Sequence, residues 1–225
     1  MPKAIFFDLD GTLWDRTAAV RALLATQRQE REDVLADIPP HEYVERFIQL
    51  DANGTVSREV VYQRLGVEFG LAERLVNDLC ADFWSRYEWS FQAFPEAMDT
   101  LRELRRIGLR LGIITNGSIR IQEQKISRLG LADLMDAVLI SEREGIRKPD
   151  AEIFHRALAR VGVSPSDGWF VGDNPDIDVA GAAAAGLRAF WRENSEWPRP
   201  AVPCETIQTL GELLPLLSQA SQQPH

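Results

Sequence analysis

Two aspartates stand one residue apart, Asp8 and Asp10, directly after the apolar run Ala4–Phe7. A buried strand that runs into paired acids needs a reason, because like charges held close repel each other. Similar polar clusters follow later apolar runs: Thr115-Asn116-Gly117, Lys148-Pro149, and Gly172-Asp173 with Asp176 and Asp178 shortly after. Crowded carboxylates stay ionised when a cation lies among them, and a hard oxygen donor set suits magnesium, which combines one or two carboxylates with waters and substrate phosphate. The Lys148 ammonium, the Thr115 hydroxyl and backbone N–H groups after it are donors matched to phosphate oxygens. One carboxylate then remains to act as nucleophile on phosphorus.

The elements that must position these groups are short. Nearly continuous apolar runs at 4–7, 109–114, 137–140, 168–171 and 188–191 predict parallel strands covered on both faces. Helical patterns lie between the later runs, at 95–107, 119–129, 151–161 and 178–185, the last ending at Gly186. Strands alternating with helices predict an α/β fold, a doubly wound parallel sheet with right-handed crossovers. Ligands of such sheets bind outside the carboxyl ends of the strands, which is where every polar cluster falls. The interval from Trp14 to Phe91 shows no strand pattern and is far longer than a crossover needs. It predicts an inserted α-helical subdomain. The expected division is a core of residues 1–14 and 92–225, with a helical insertion at 15–91. A final helix is expected at 206–217 and a frayed tail at 218–225.

Composition narrows the class of partner. The chain has 225 residues and a formal net charge of −9, without the basic footprint that a nucleic-acid polymer requires. Its two cysteines, Cys80 and Cys204, are far apart and in no metal-binding pattern. The N-terminus lacks a signal peptide's apolar run, and no segment approaches the roughly 20 apolar residues of a membrane span. A cytoplasmic protein that acts on a small phosphorylated metabolite, as monomer or homodimer, is expected.

The motifs DLDGT (8–12), ITNGS (114–118), RKPD (147–150) and VGDNPDID (171–178) resemble, in order, the four signatures of the haloacid dehalogenase-like (HAD) hydrolase superfamily. Their contexts are most similar to its nucleotidase-like phosphatase branch. The insertion matches the position of that family's helical cap, which chooses the substrate and closes over it. The resemblance implies a Rossmann-like core and hydrolysis of a nucleotide, flavin mononucleotide or sugar phosphate through an aspartyl-phosphate. It makes Asp8 the nucleophile and Asp10 the acid, then base. Magnesium would be held by the Asp8 and Asp173 side chains and the Asp10 carbonyl. Thr115, Asn116 and Lys148 would bind the phosphoryl group. Asp178 would support the metal site or orient Lys148.

Alternatives separate on single residues. Dehalogenases of the superfamily resemble this pattern without an acid at the Asp10 position; a phosphomutase keeps both acids. A receiver-like signalling module also gathers acids, Thr and Lys around magnesium, but its phosphorylated Asp ends the third strand, where this chain has Ile140-Ser141. Trp14 follows the first motif and serves either substrate contact or hinge packing. Trp84 and Trp89 are expected in the helical core. Arg120 and Gln122 follow the second motif and either reach a substrate or, as such residues more often do, face solvent. Asp176 is read as a helix N-terminal acid.

Overall fold

The computed structural model describes residues 1–220. Two compact units emerge, one of Met1–Asp15 with Ala93–His225 and one of Arg16–Gln92. The second unit holds helices α1 (Arg16–Glu30), α2 (Glu32–Leu35), α3 (Pro40–Asp51), α4 (Arg58–Glu68) and α5 (Glu73–Tyr87). Aromatic side chains make its core: Phe47 and Tyr62 meet edge to face at 5.2 Å, and Phe83 stacks on both Phe47 and Tyr87. Gln27 is fully buried and its carboxamide is fully used. Its Oε1 accepts from Tyr43 and Tyr62, and its Nε2 donates to the Leu79 carbonyl and to Asp82. Trp84 is half-buried against Phe83. Trp89 is 74% exposed, contrary to expectation, because it lies in the turn just beyond the end of α5 rather than on its apolar face.

The first unit is built on strands β1 (Ala4–Phe7), β2 (Arg110–Thr115), β3 (Ala137–Ile140), β4 (Gly168–Gly172), β5 (Arg188–Arg192) and β6 (Glu205–Ile207). They form one parallel sheet in the order β3-β2-β1-β4-β5-β6. Helices α6 (Ala97–Arg106), α7 (Ile119–Arg128), α8 (Ser141–Glu144), α9 (Ala151–Val161), α10 (Gly181–Ala184) and α11 (Leu213–Ala220) cover it. Burial on both faces explains the unbroken apolar strands: every residue of β1 is fully buried. One face packs Phe6, Phe170 and Leu139 against Ile153, Phe154 and Leu158 of α9. Strand β6 was not expected. It is an edge strand of three residues whose alternating polar side chains carry no continuous apolar signal, and it displaces the start of the final helix from 206 to 213. Of the expected tail, 218–220 belongs to α11, and 221–225 lies outside the described residues.

The strand order places β1 and β4 side by side while their chains continue in opposite directions, β1 toward β2 and β4 toward β5. A crevice must open between the carboxyl ends of two such strands. The register pairs Phe7 with Val171, and the Asp8 N–H donates to the Val171 carbonyl at 2.9 Å. Asp8 and Asp173 therefore leave the sheet as neighbours at the crevice. Where the inserted unit departs and returns, Trp14 bridges to Ala93 and the Phe94 N–H donates to the Leu13 carbonyl.

Candidate active site

Each polar cluster arrives at this crevice from a different strand. Asp8 follows β1, Thr115 ends β2, Lys148 comes from the loop after β3, and Asp173 and Asp178 follow β4. Lys148 is 2% exposed, and its Nζ lies 2.5 Å from Asp8 Oδ1 and 2.6 Å from Asp178 Oδ1. Asp8, Asp173 and Asp178 are all buried and each offers a carboxylate oxygen within 4.8 Å of the others. Three carboxylates thus face one ammonium. Burial pushes the Asp8 carboxyl well above the usual carboxylate range; Lys148 pulls it back, and Asp178, Asp173 and Asp10 add to the rise. Burial and then Asp178 push Asp173 up to about 7, against the donors Asn194 and Trp197 and the charge of Lys148. Burial would lower the Lys148 ammonium, but Asp178 and Asp8 more than offset it and hold it at about 12. The cluster lacks positive charge at neutral pH, and a hard divalent cation fits that deficit.

The turn after β1 makes the close approach. Gly11 has φ of +81°, and a Cβ there would run into the Asp173 carboxylate. The Gly11 carbonyl accepts from Arg192 Nη1 at 3.2 Å, and the Arg192 guanidinium lies 3.5 Å from the Phe94 ring centroid. At the other strand, Asn174 caps a widened helical turn (Pro175–Ala180) through its Oδ1, which accepts from the N–H groups of Asp176 and Ile177. That cap turns Asp178 inward, where its Oδ2 accepts from the Asn174 N–H at 3.1 Å. Asp176 is exposed and stands apart from the cluster.

Other expected residues take more specific places. Asn116 Nδ2 donates to the Lys148 carbonyl and its Oδ1 accepts from the Lys148 N–H, both at 3.0 Å. Both ends of its carboxamide thus meet the Lys148 backbone. The Thr115 hydroxyl is buried and accepts from Gln122 Nε2 at 2.5 Å. The Asp10 carboxylate stands outside the three-acid group: Lys125 Nζ is 2.6 Å from its Oδ1, and Gln122 Nε2 donates to its Oδ2 at 2.9 Å. Trp14 is fully buried, forms a backbone bridge with Asp10, and has Lys125 Nζ 5.4 Å from its ring centroid.

Five residues of the surroundings escaped the sequence reading. Gln122, for which the sequence left substrate contact or solvent open, is buried and donates to Asp10. Lys125 on α7, Arg192 at the end of β5, and Asn194 and Trp197 in the loop after it sit in ordinary contexts and carry no motif. Asn194 Nδ2 and Trp197 Nε1 both donate to Asp173 Oδ2, at 2.7 and 3.2 Å. The Trp191 indole donates to the Asp173 carbonyl at 2.7 Å.

This fold and this arrangement of acids belong to a known class. Residues 2–186 match the family of haloacid dehalogenase-like hydrolases, and the chain belongs to that family. It is 31% identical over 239 residues to a ribulose-1,5-bisphosphate 5-phosphatase of Halopiger xanaduensis, covering 97% of this chain and 100% of that one. Among solved structures, a magnesium-bound HAD-hydrolase of Bacillus subtilis superposes with a TM-score of 0.77 at 25% identity, over 96% of this chain and 98% of that one. A 2-haloacid dehalogenase of Pseudomonas syringae superposes with a TM-score of 0.61 at 30% identity, over 98% and 100%. Among the described residues, no helix is long and apolar enough to cross a membrane.

Proposed function

We propose that this chain is a magnesium-dependent phosphatase of a small phosphorylated metabolite, working through an aspartyl-phosphate on Asp8. The observation that carries the reading is the buried group Asp8, Asp173 and Asp178 around Lys148, with a second acid, Asp10, set apart from it and held by its own donors. Dehalogenation needs no acid at the Asp10 position, and that acid is present here. The full-length similarity to a sugar-bisphosphate phosphatase favours sugar phosphates over nucleotides and flavin mononucleotide as the substrate class.

The family resemblance suggests the roles, and the contacts support them. Asp8 attacks phosphorus and forms the aspartyl-phosphate as the ester P–O bond breaks. Asp10 gives its proton to the departing oxygen. It then takes a proton from a water that attacks the intermediate, freeing inorganic phosphate and Asp8. Lys148 and the Thr115 hydroxyl bind the phosphoryl oxygens. Asp178 has one oxygen on Lys148 and the other on the Asn174 N–H, so it orients Lys148. Asn116 holds the Lys148 loop in place. The Asp8 and Asp173 carboxylates and the Asp10 carbonyl would hold magnesium, which when bound offsets the acidic cluster and stabilises charge on the phosphoryl oxygens. The helical unit, as a cap, would select the leaving group.

The test is phosphate release from sugar phosphates, nucleotides and flavin mononucleotide, with magnesium and with chelator. Asp8→Asn serves as control. Release by the wild type alone, dependent on magnesium, is expected; metal-independent release or an active Asp8→Asn would overturn the reading.

A further inference from the structure

Helix α7 carries two buried polar side chains to which the mechanism above gives no role. Gln122 and Lys125 are three residues apart and therefore share a helix face. They are 2% and 4% exposed, unusual for an amide and an ammonium on a helix. Both aim at one acid: Lys125 Nζ reaches Asp10 Oδ1 at 2.6 Å, and Gln122 Nε2 reaches Asp10 Oδ2 at 2.9 Å. Gln122 Nε2 also donates to the Thr115 hydroxyl at 2.5 Å and lies 3.3 Å from the Asn116 carbonyl, tying the acid to the β2 motif. Lys125 is fixed from a second side, its Nζ 5.4 Å from the centroid of the buried Trp14 ring. Space for the amide depends on the motif glycine, because a Cβ at Gly117 would lie 3.0 Å from Gln122 Cγ and Cδ.

An aspartate side chain turns about two bonds. Donors on both carboxylate oxygens restrict both, so Asp10 meets the ester oxygen from one direction. We infer that Gln122 and Lys125 are positioning residues that hold the Asp10 carboxyl in the orientation for proton exchange with the leaving oxygen. This rests on the phosphatase reading above. In the first step the ester P–O bond breaks, the Asp8–P bond forms and the Asp10 proton goes to the departing oxygen. In the second, water gives a proton back to Asp10 as its oxygen bonds phosphorus. An aliphatic alkoxide is too basic to depart without that proton, whereas a nitrophenolate departs without it. The two kinds of ester therefore separate loss of Asp10 positioning from general damage.

The experiment compares kcat/KM for an alkyl phosphate turned over by the wild type, such as a sugar phosphate, with that for 4-nitrophenyl phosphate, in magnesium. Lys125→Met and Gln122→Leu should lower the alkyl value by about 100-fold and the aryl value by under about 10-fold, the range that general acid catalysis spans. Asp10→Asn should show the same split. Adding Lys125→Met to Asp10→Asn should cost no more than about 3-fold further, because residues acting as one unit are not additive. Lys125→Gln, which keeps a donor toward Asp10 without the charge, should recover part of the alkyl rate and serves in place of Lys125→Met if that variant does not fold. Equal losses on both esters, or full additivity in the double variant, would overturn the inference while leaving the phosphatase reading intact. Absence of any release by the wild type would overturn the reading and the inference together.

Discussion

Two buried ionic clusters, one in each unit, are composed in opposite senses. In the sheet unit, Asp8, Asp173 and Asp178 share the single ammonium of Lys148. In the helical unit, Asp51 is 1% exposed and is shared by two buried guanidiniums: Arg16 Nη2 lies 2.6 Å from Asp51 Oδ2, and Arg58 is ion-paired to Oδ1. The surplus positive charge there is absorbed locally. The Arg58 guanidinium lies 5.6 and 5.1 Å from the Phe47 and Phe83 ring centroids, and the Gly54 N–H caps Asp51. Aromatic faces can accommodate excess cation. The donors around the acidic cluster, Asn194, Trp197 and the Asn174 N–H, are neutral, and burial with the neighbouring acids pushes two of its carboxyls upward. One cluster is complete as folded; the other is arranged for something that binds.

The sharpest way to break this contrast is to remove one acid from each. Asp8→Asn should reduce turnover by about four orders of magnitude or more, as loss of a covalent nucleophile does elsewhere. The same change relieves repulsion, so the metal-free melting temperature should not fall, as differential scanning calorimetry can check. Asp51→Asn should do the reverse, because it leaves two guanidiniums buried without a counter-charge. We expect a loss of about 3 kcal/mol or more in urea unfolding, independent of magnesium, with the remaining folded enzyme still active. A stable Asp51→Asn, or a collapsing Asp8→Asn, would erase the distinction.

Acidity sharpens it further. Asp173 titrates near 7 in the folded protein, against a value near 4 expected for the unfolded chain. A carboxyl raised on folding takes up a proton, so its stabilising effect is full below about pH 4 and is lost as pH rises through about 7. Metal-free protein should therefore lose stability from this group across that interval. Magnesium, competing with the protons, should raise the melting temperature more at pH 8 than at pH 5. An equal shift at both would contradict the metal assignment. The smallest expected effect is that of Asn194→Ala, which removes one donor from Asp173. It should weaken the magnesium dependence of activity by about 10-fold, the low end for a residue that orients a metal ligand.

Much of this molecule is legible in one dimension. The runs that became β1 to β5 are apolar because both faces of a parallel sheet are covered, and that requirement is written directly into residue type. Asp8, Thr115, Lys148 and Asp173 are legible for a related reason: each follows a strand, and the carboxyl ends of parallel strands share one edge. Strand β6 was hidden because a three-residue edge strand pairs on one side only and needs no continuous apolar run. The partners of the acids were hidden because their function depends on who faces them. Lys125 reads as a solvated helical lysine until the fold carries Asp10 beneath it, 115 residues away in sequence.

By itself, then, the sequence determined the chemical inventory and the layering: strand-end acids, a lysine, a threonine, and helices between strands. Local patterning suffices for these because burial and turn formation act over a few residues. Tertiary structure alone decided which acids share a charge and which stand apart. It grouped Asp178 with Asp8 and Asp173, gave Asp10 its own ammonium and amide, and turned the Asn116 carboxamide onto the Lys148 loop. Electrostatic pairing depends on distance in space, and the pairing of β1 with β4 in the sheet sets that distance.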